Sequence, residues 1–133
     1  MSTTAAVGLL APARVKALLR GAEGGEDKVL VIDVRDSDFA GGHIRGAVNI
    51  AAETFCDDNR VDELVALCQG MDTVVLHCFL SQQRGPFCAQ RLAERMEEAG
   101  GAHPEVCVMA GGWRRFRREL KEDDYDLVED YVD

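Results

Sequence analysis

Thr73-Val74-Val75-Leu76-His77-Cys78-Phe79-Leu80-Ser81-Gln82-Gln83-Arg84-Gly85-Pro86 is the stretch that decides how this chain is read. Thr73 to His77 is a short, mostly apolar run, which predicts a strong strand. Gly85-Pro86 opens a helical pattern that continues through Ala99, with Cys88, Leu92 and Met96 on one face and Gly100 after it. Proline suits a first helical turn, where its missing N–H has no partner to lose. Between strand and helix lies a loop of seven residues, Cys78 to Arg84. In parallel α/β sheets, ligands bind beyond the carboxyl ends of the strands, which is where this loop lies.

The same alternation recurs on both sides. Pro12 opens a helix in which Val15, Leu18 and Leu19 repeat at helical spacing, with Gly21 as its stop. Ala22 to Asp27 reads as a polar turn, Val29 to Ile32 as a buried strand, Asp36 to Gly42 as a turn or short helix, and Ala47 to Ile50 as a weaker strand. Val61, Leu64, Val65 and Cys68 mark a further helix closed by Gly70. Glu105 to Met109 is a strand, and Gly111-Gly112 turns the chain into a helix holding Trp113 and Phe116. Alternating strands and helices predict an α/β fold, a central parallel sheet flanked by helices. We place this single domain at residues 1–121 and an acidic tail at 122–133. The tail is expected to fray, with Tyr125, Leu127, Val128, Tyr131 and Val132 as its packing candidates.

Composition narrows the function. The 133 residues are 47% hydrophobic and 29% charged, enough for a core without disulfides. With 15 Lys and Arg against 24 Asp and Glu, the net charge of −9 argues against a general nucleic-acid binder. No apolar run approaches the roughly 20 residues that span a bilayer, so no membrane partner is expected. Met1 to Leu10 lacks a basic signal-peptide start; Arg14, Lys16 and Arg20 faintly suggest a transit peptide, but fit a first domain helix better. The five cysteines, Cys56, Cys68, Cys78, Cys88 and Cys107, are odd in number and form no CxxC. That pattern points away from disulfides or a metal site and towards a reducing compartment, the cytoplasm first, with nucleus or organelle open.

The loop itself carries the chemistry. Cys78 and Arg84 bracket five residues at a helix N-terminus, where backbone N–H groups and the helix dipole favour an anion. Arg84 adds a planar fork that grips two oxygens at once. The same field favours a thiolate, the nucleophilic form of cysteine. Ser81 is placed to hydrogen-bond the sulfur when it later leaves. The competing reading of Cys78 is a merely buried cysteine.

Val31-Ile32-Asp33-Val34-Arg35 followed by Gly42-His43-Ile44-Arg45-Gly46-Ala47-Val48-Asn49 resembles the first signature of rhodanese-like domains. Gly111-Gly112-Trp113 resembles their closing glycine–glycine–aromatic motif, and the likeness extends from about Pro12 to Leu120. Sulfurtransferases of that family usually have a six-residue loop. The seven residues here are similar to the cell-division-cycle dual-specificity phosphatases and the eukaryotic arsenate reductases. By that resemblance Cys78 is the nucleophile, Arg84 the oxyanion clamp, and Phe79, Leu80, Ser81, Gln82 and Gln83 the backbone donors. Where the cell-cycle phosphatases carry glutamates, after the cysteine and before the arginine, this chain has Phe79 and Gln83. The likeness implies an arsenate reductase first, using glutathione and glutaredoxin as reductants, with no tightly bound cofactor. A phosphatase working through phosphocysteine is the alternative. Thiosulfate sulfurtransferase and a non-catalytic rhodanese-like interaction module rank lower.

The remaining candidates have two readings each. Asp33 and Arg35 are read as an ion pair anchoring a strand end, with catalysis the rival. His77 is read as holding the loop, His43 as fixing a turn. Cys88 is a core-facing thiol or one that resolves an oxidised Cys78, and Cys56 is a second resolving candidate. Arg114, Arg115, Arg117 and Arg118 are expected to pair with the acidic tail, or else to form a docking patch.

Overall fold

The apolar runs of the sequence become adjacent parallel strands in the computed structural model, which describes residues 6–131 apart from 24, 26 and 27. The central sheet has the order β1 (Gly8–Leu10), β6 (Glu105–Met109), β5 (Thr73–His77), β2 (Val29–Asp33) and β4 (Val48–Asn49), with every pairing parallel. Successive residues of a strand face opposite sides, and both sides are covered. Val74 and Leu76 pack with Leu64, Leu92 and Met96 of α2 (Asp58–Leu67) and α3 (Arg84–Ala99). Val31 and Val75 pack with Val15, Trp113 and Phe116 of α1 (Pro12–Glu23) and α4 (Gly112–Arg118). This two-sided burial is why the strands read as continuous apolar runs and not as alternating ones. The chain is a single α/β domain with helices on both faces of a parallel sheet.

Two details depart from the sequence reading. Gly21 does not stop α1, which runs on to Glu23; the left-handed turn falls instead at Gly25, with φ +80°. The strand β1 lies at the sheet edge and was missed because three residues carry no readable period.

The larger correction concerns the tail. Residues 122–131 do not fray. Glu122–Leu127 forms a 3₁₀ turn, Leu127 is 2% exposed, and β7 (Val128–Glu129) pairs antiparallel with β3 (His43–Ile44). Among the described residues the tail's acids bind α1 and not the α4 arginines: Lys16 Nζ lies 2.9 Å from Asp124 Oδ2, and Arg20 binds Asp126 at 2.6 Å. Arg115 instead pairs with Glu119 one turn on. The described part of the tail is thus joined to α1 and to β3. Residues 1–5 and 132–133, with the start-of-chain reading and Val132, lie outside the described residues, as does part of the Ala22–Asp27 turn.

Candidate active site

Cys78 follows β5 directly, and Arg84 is the first residue of α3, one position earlier than the sequence suggested. Strand end and helix start thus pin both ends of the loop. Cys78 is 3% exposed, at the floor of a cavity of about 440 Å³ lined also by Asp38, Phe79, Leu80, Gln82, Gln83 and Arg84. The loop curls around the sulfur. Ser81 N–H points at Cys78 Sγ from 3.0 Å, and Gly85 N–H from 3.4 Å. These are the donors that a thiolate accepts. Gly85 was not among the expected backbone donors; its N–H belongs to the unpaired first turn of α3. Ser81 adopts a left-handed φ of +56°, the strain that closes the curl, and its hydroxyl oxygen accepts from Cys78 N–H at 3.3 Å. The Ser81 contact to sulfur therefore comes from its backbone.

Other elements hold the loop from behind. Trp113 N–H donates to Cys78 O at 2.9 Å, and Arg114 N–H to Phe79 O at 3.0 Å. Gly112 permits this approach: a Cβ there would lie 2.5 Å from both carbonyl oxygens. The Arg117 guanidinium sits 5.5 Å above the Phe79 ring. Sequence reading identified Gly111-Gly112-Trp113 as a motif but not as the buttress of this loop.

Beneath the loop lies a buried polar cluster. Asp33, Arg35 and His77 are each at most 1% exposed. Arg35 binds Asp33 in a bidentate pair, the shortest contact 2.7 Å, and also donates to Gly42 O and Asp38 O. Its charge is further shared with the faces of Trp113 and Phe39. With every arm engaged, Arg35 ties β2 to the turn at Ser37–Phe39. His77 Nδ1 lies 3.0 Å from Cys78 O and, since a carbonyl only accepts, is the protonated nitrogen. Its Nε2 has no hydrogen-bond partner among the described residues and lies 3.6 Å from Asp33. Burial holds His77 below its ordinary value, outweighing the Asp33 charge that acts the other way. His43 lies away from the cavity, stacked on Phe39 at 4.6 Å.

The two candidate resolving thiols separate clearly. Cys88 is fully buried, its thiol pushed up to about 12, chiefly by burial. It is protonated at neutral pH and fills the core between α3 and the Ala52–Cys56 turn. Cys56, at the end of that turn, is exposed. One site residue went unread: Asp38, placed in the cavity by the Ser37–Phe39 turn, binds Arg84 through both carboxylate oxygens, at 3.2 and 2.8 Å. Its only sequence signal was an acid in a turn.

Comparison with known proteins follows the same lines. The model of the rhodanese-like domain matches residues 14–119. A Cdc25-like phosphatase of Saccharomyces cerevisiae is 33% identical over 102 residues, covering 71% of this chain and 69% of that protein. The dual specificity phosphatase Cdc25 of Arabidopsis thaliana is 42% identical over 71 residues, covering 53% and 47%. Arsenate reductase 2.2 of rice is 37% identical over 75 residues, covering 56% of each. The chain thus spans about half the length of the two plant relatives. Among solved structures, the As-Sb reductase of Leishmania major superposes with a TM-score of 0.83 at 28% identity, covering 92% of this chain and 85% of that one. A yeast homologue of single-domain rhodanese and the Cdc25 catalytic domain gives 0.79 at 29% identity, covering 95% and 89%. Relatives are named both arsenate reductase and Cdc25-like phosphatase, and the family match supports cysteine-based catalysis. The chain belongs to the rhodanese-like domain family.

Proposed function

We propose that this chain is an arsenate reductase in which Cys78 is the nucleophile and Arg84 the oxyanion clamp. Cys78 thiolate attacks dihydrogen arsenate, so that an S–As bond forms and an As–O bond breaks, one hydroxyl leaving as water with the proton of the other. A glutathione thiol then attacks Cys78 Sγ. The new S–S bond forms as the S–As bond breaks, its electron pair reduces arsenic, and arsenite leaves. Glutaredoxin with further glutathione restores the Cys78 thiol from the mixed disulfide. The reductants fit a reducing compartment, the cytoplasm first.

The observation that carries this reading is that, among the described residues lining the cavity, the one carboxylate is held by Arg84 and is not free to deliver a proton. Phe79 and Gln83 are uncharged, and Asp38, the carboxylate among the lining residues, is bound by Arg84. Arg84 holds the Asp38 carboxyl below its ordinary value, so it is ionised at neutral pH. A phosphate monoester with a poor leaving group needs a proton delivered to its leaving oxygen; the arsenate route is driven by the incoming thiol. A phosphotyrosine or aryl phosphatase is the second reading, favoured by the yeast relative's name. The experiment is Gln83→Glu, assayed for phosphate release from a tyrosyl ester and for glutathione-coupled arsenate reduction. A carboxylate at this cavity wall should raise the first and lower the second, since it repels the oxyanion. Parallel movement of both rates refutes the reasoning.

A further inference from the structure

The Asp38–Arg84 pair has a geometry that its neighbours impose. Asp36 N–H donates to Asp38 Oδ1 at 2.9 Å, and the buried Arg35 donates to Asp38 O at 3.0 Å. Arg35 is in turn locked on Asp33, whose neighbour in the adjacent strand register, His77, bonds the Cys78 carbonyl. Asp38 is therefore anchored to the same buried cluster that carries the floor of the loop. Its carboxylate takes one N–H from each Nη of Arg84, leaving three of the five guanidinium donors, Nε–H among them, for another anion. An arginine on the exposed first turn of a helix otherwise samples many rotamers, and each ordered long side chain costs about 0.5–1.5 kcal/mol on binding.

We infer that Asp38 is the positioning residue for the oxyanion clamp: it holds the outer end of the Arg84 fork so that the Nε side stays directed into the cavity. The inference assumes the clamp role proposed for Arg84. Asp38 here acts through Arg84 and is not itself a proton donor.

The test separates orientation from charge. Asp38→Asn and Asp38→Ala remove the same charge, but asparagine keeps one oxygen that accepts from Arg84. Turnover should fall about 3-fold in the asparagine variant and about 30-fold in the alanine variant. On an Arg84→Lys background the two should agree within about 2-fold, because the fork that Asp38 orients is gone. Calorimetric binding of inorganic phosphate to the same set, built on Cys78→Ser, gives a readout that needs no turnover. The asparagine form should bind at least about 5-fold more tightly than the alanine form when Arg84 is present. Equal behaviour of the two Asp38 variants overturns the inference, as does tighter binding with faster turnover in both, which would make Asp38 a competitor for the clamp. If wild type turns over neither arsenate nor aryl phosphate, the proposed function fails, and the phosphate-binding comparison still decides the role of Asp38.

Discussion

Gly112→Ala tests whether α4 shapes the catalytic loop. Gly112 has a φ of +60°, and its added Cβ would lie 2.5 Å from Cys78 O and from Phe79 O, and 2.7 Å from Phe79 C. Left-handed backbone costs an alanine about 1–2 kcal/mol. A carbon and a carbonyl oxygen settle at about 3.3–3.6 Å even in close contacts, so the loop must retreat by roughly 1 Å. Overpacking of that kind adds about 1–3 kcal/mol. The sum, about 2–5 kcal/mol, is a large part of the roughly 5–15 kcal/mol that stabilises a domain. For a chain of this size it should lower the melting temperature by about 10 °C or more. Gly70→Ala isolates the cost of a positive φ, since φ is +87° and nothing lies within 4 Å of its Cβ; it should cost about 1–2 kcal/mol. The retreat also breaks the Trp113 and Arg114 hydrogen bonds that hold Cys78 and Phe79. Thermal melts and phosphate calorimetry on both variants provide the comparison. Equal destabilisation by the two, with phosphate binding intact in Gly112→Ala, would show that α4 does not set the loop.

Other expectations follow from particular residues. Arg84→Lys keeps the charge but loses the fork, so it should weaken oxyanion binding and slow chemistry about 10-fold or more without unfolding; unchanged arsenate and phosphate kinetics would remove Arg84 from the site. Native alkylation at pH 7.5, read by mass spectrometry, should label Cys56 and Cys78, with phosphate protecting only Cys78. Cys68, Cys88 and Cys107 should stay unlabelled, because burial pushes their thiols up to about 11, 12 and 11; rapid labelling of Cys88 would contradict this. His77 is depressed in the folded state, so below its ordinary value of 6.5 the unfolded chain binds a proton that the folded chain refuses. Its contribution is thus present above pH 6.5 and lost as pH falls below it, and the melting temperature should drop between pH 6.5 and 5; an equally steep drop in His77→Gln would exclude His77 as the cause. Leu127→Ala should cost about 2–4 kcal/mol in denaturant unfolding, because Leu127 is 2% exposed; a change under 0.5 kcal/mol would mean the tail is not part of the core.

The parts of the fold that were legible in sequence are those with strong local signals. Val74, Val75 and Leu76 announce a strand because both their faces are buried, and Cys78 and Arg84 announce a site because they bracket a strand-to-helix loop. What was hidden depends on distant partners. β3 and β7 are two residues each and exist only because His43–Ile44 and Val128–Glu129 meet across the fold. The acids of the tail pointed to arginines nearby in sequence, yet tertiary packing delivers them to Lys16 and Arg20, more than a hundred residues earlier. Asp38 could not be found from its spacing to Arg84, since 46 residues separate them. Gly85 was read as a helix starter, although its N–H is also directed at the sulfur.

The most direct test of the account is arsenate reduction by the purified chain, coupled to glutathione and glutaredoxin, for wild type beside Cys78→Ser. The account predicts arsenite formation by wild type and none above background by the serine variant, which still binds phosphate because the loop N–H groups and Arg84 remain. Efficient dephosphorylation of a phosphotyrosyl peptide by wild type, without arsenate reduction, would contradict it.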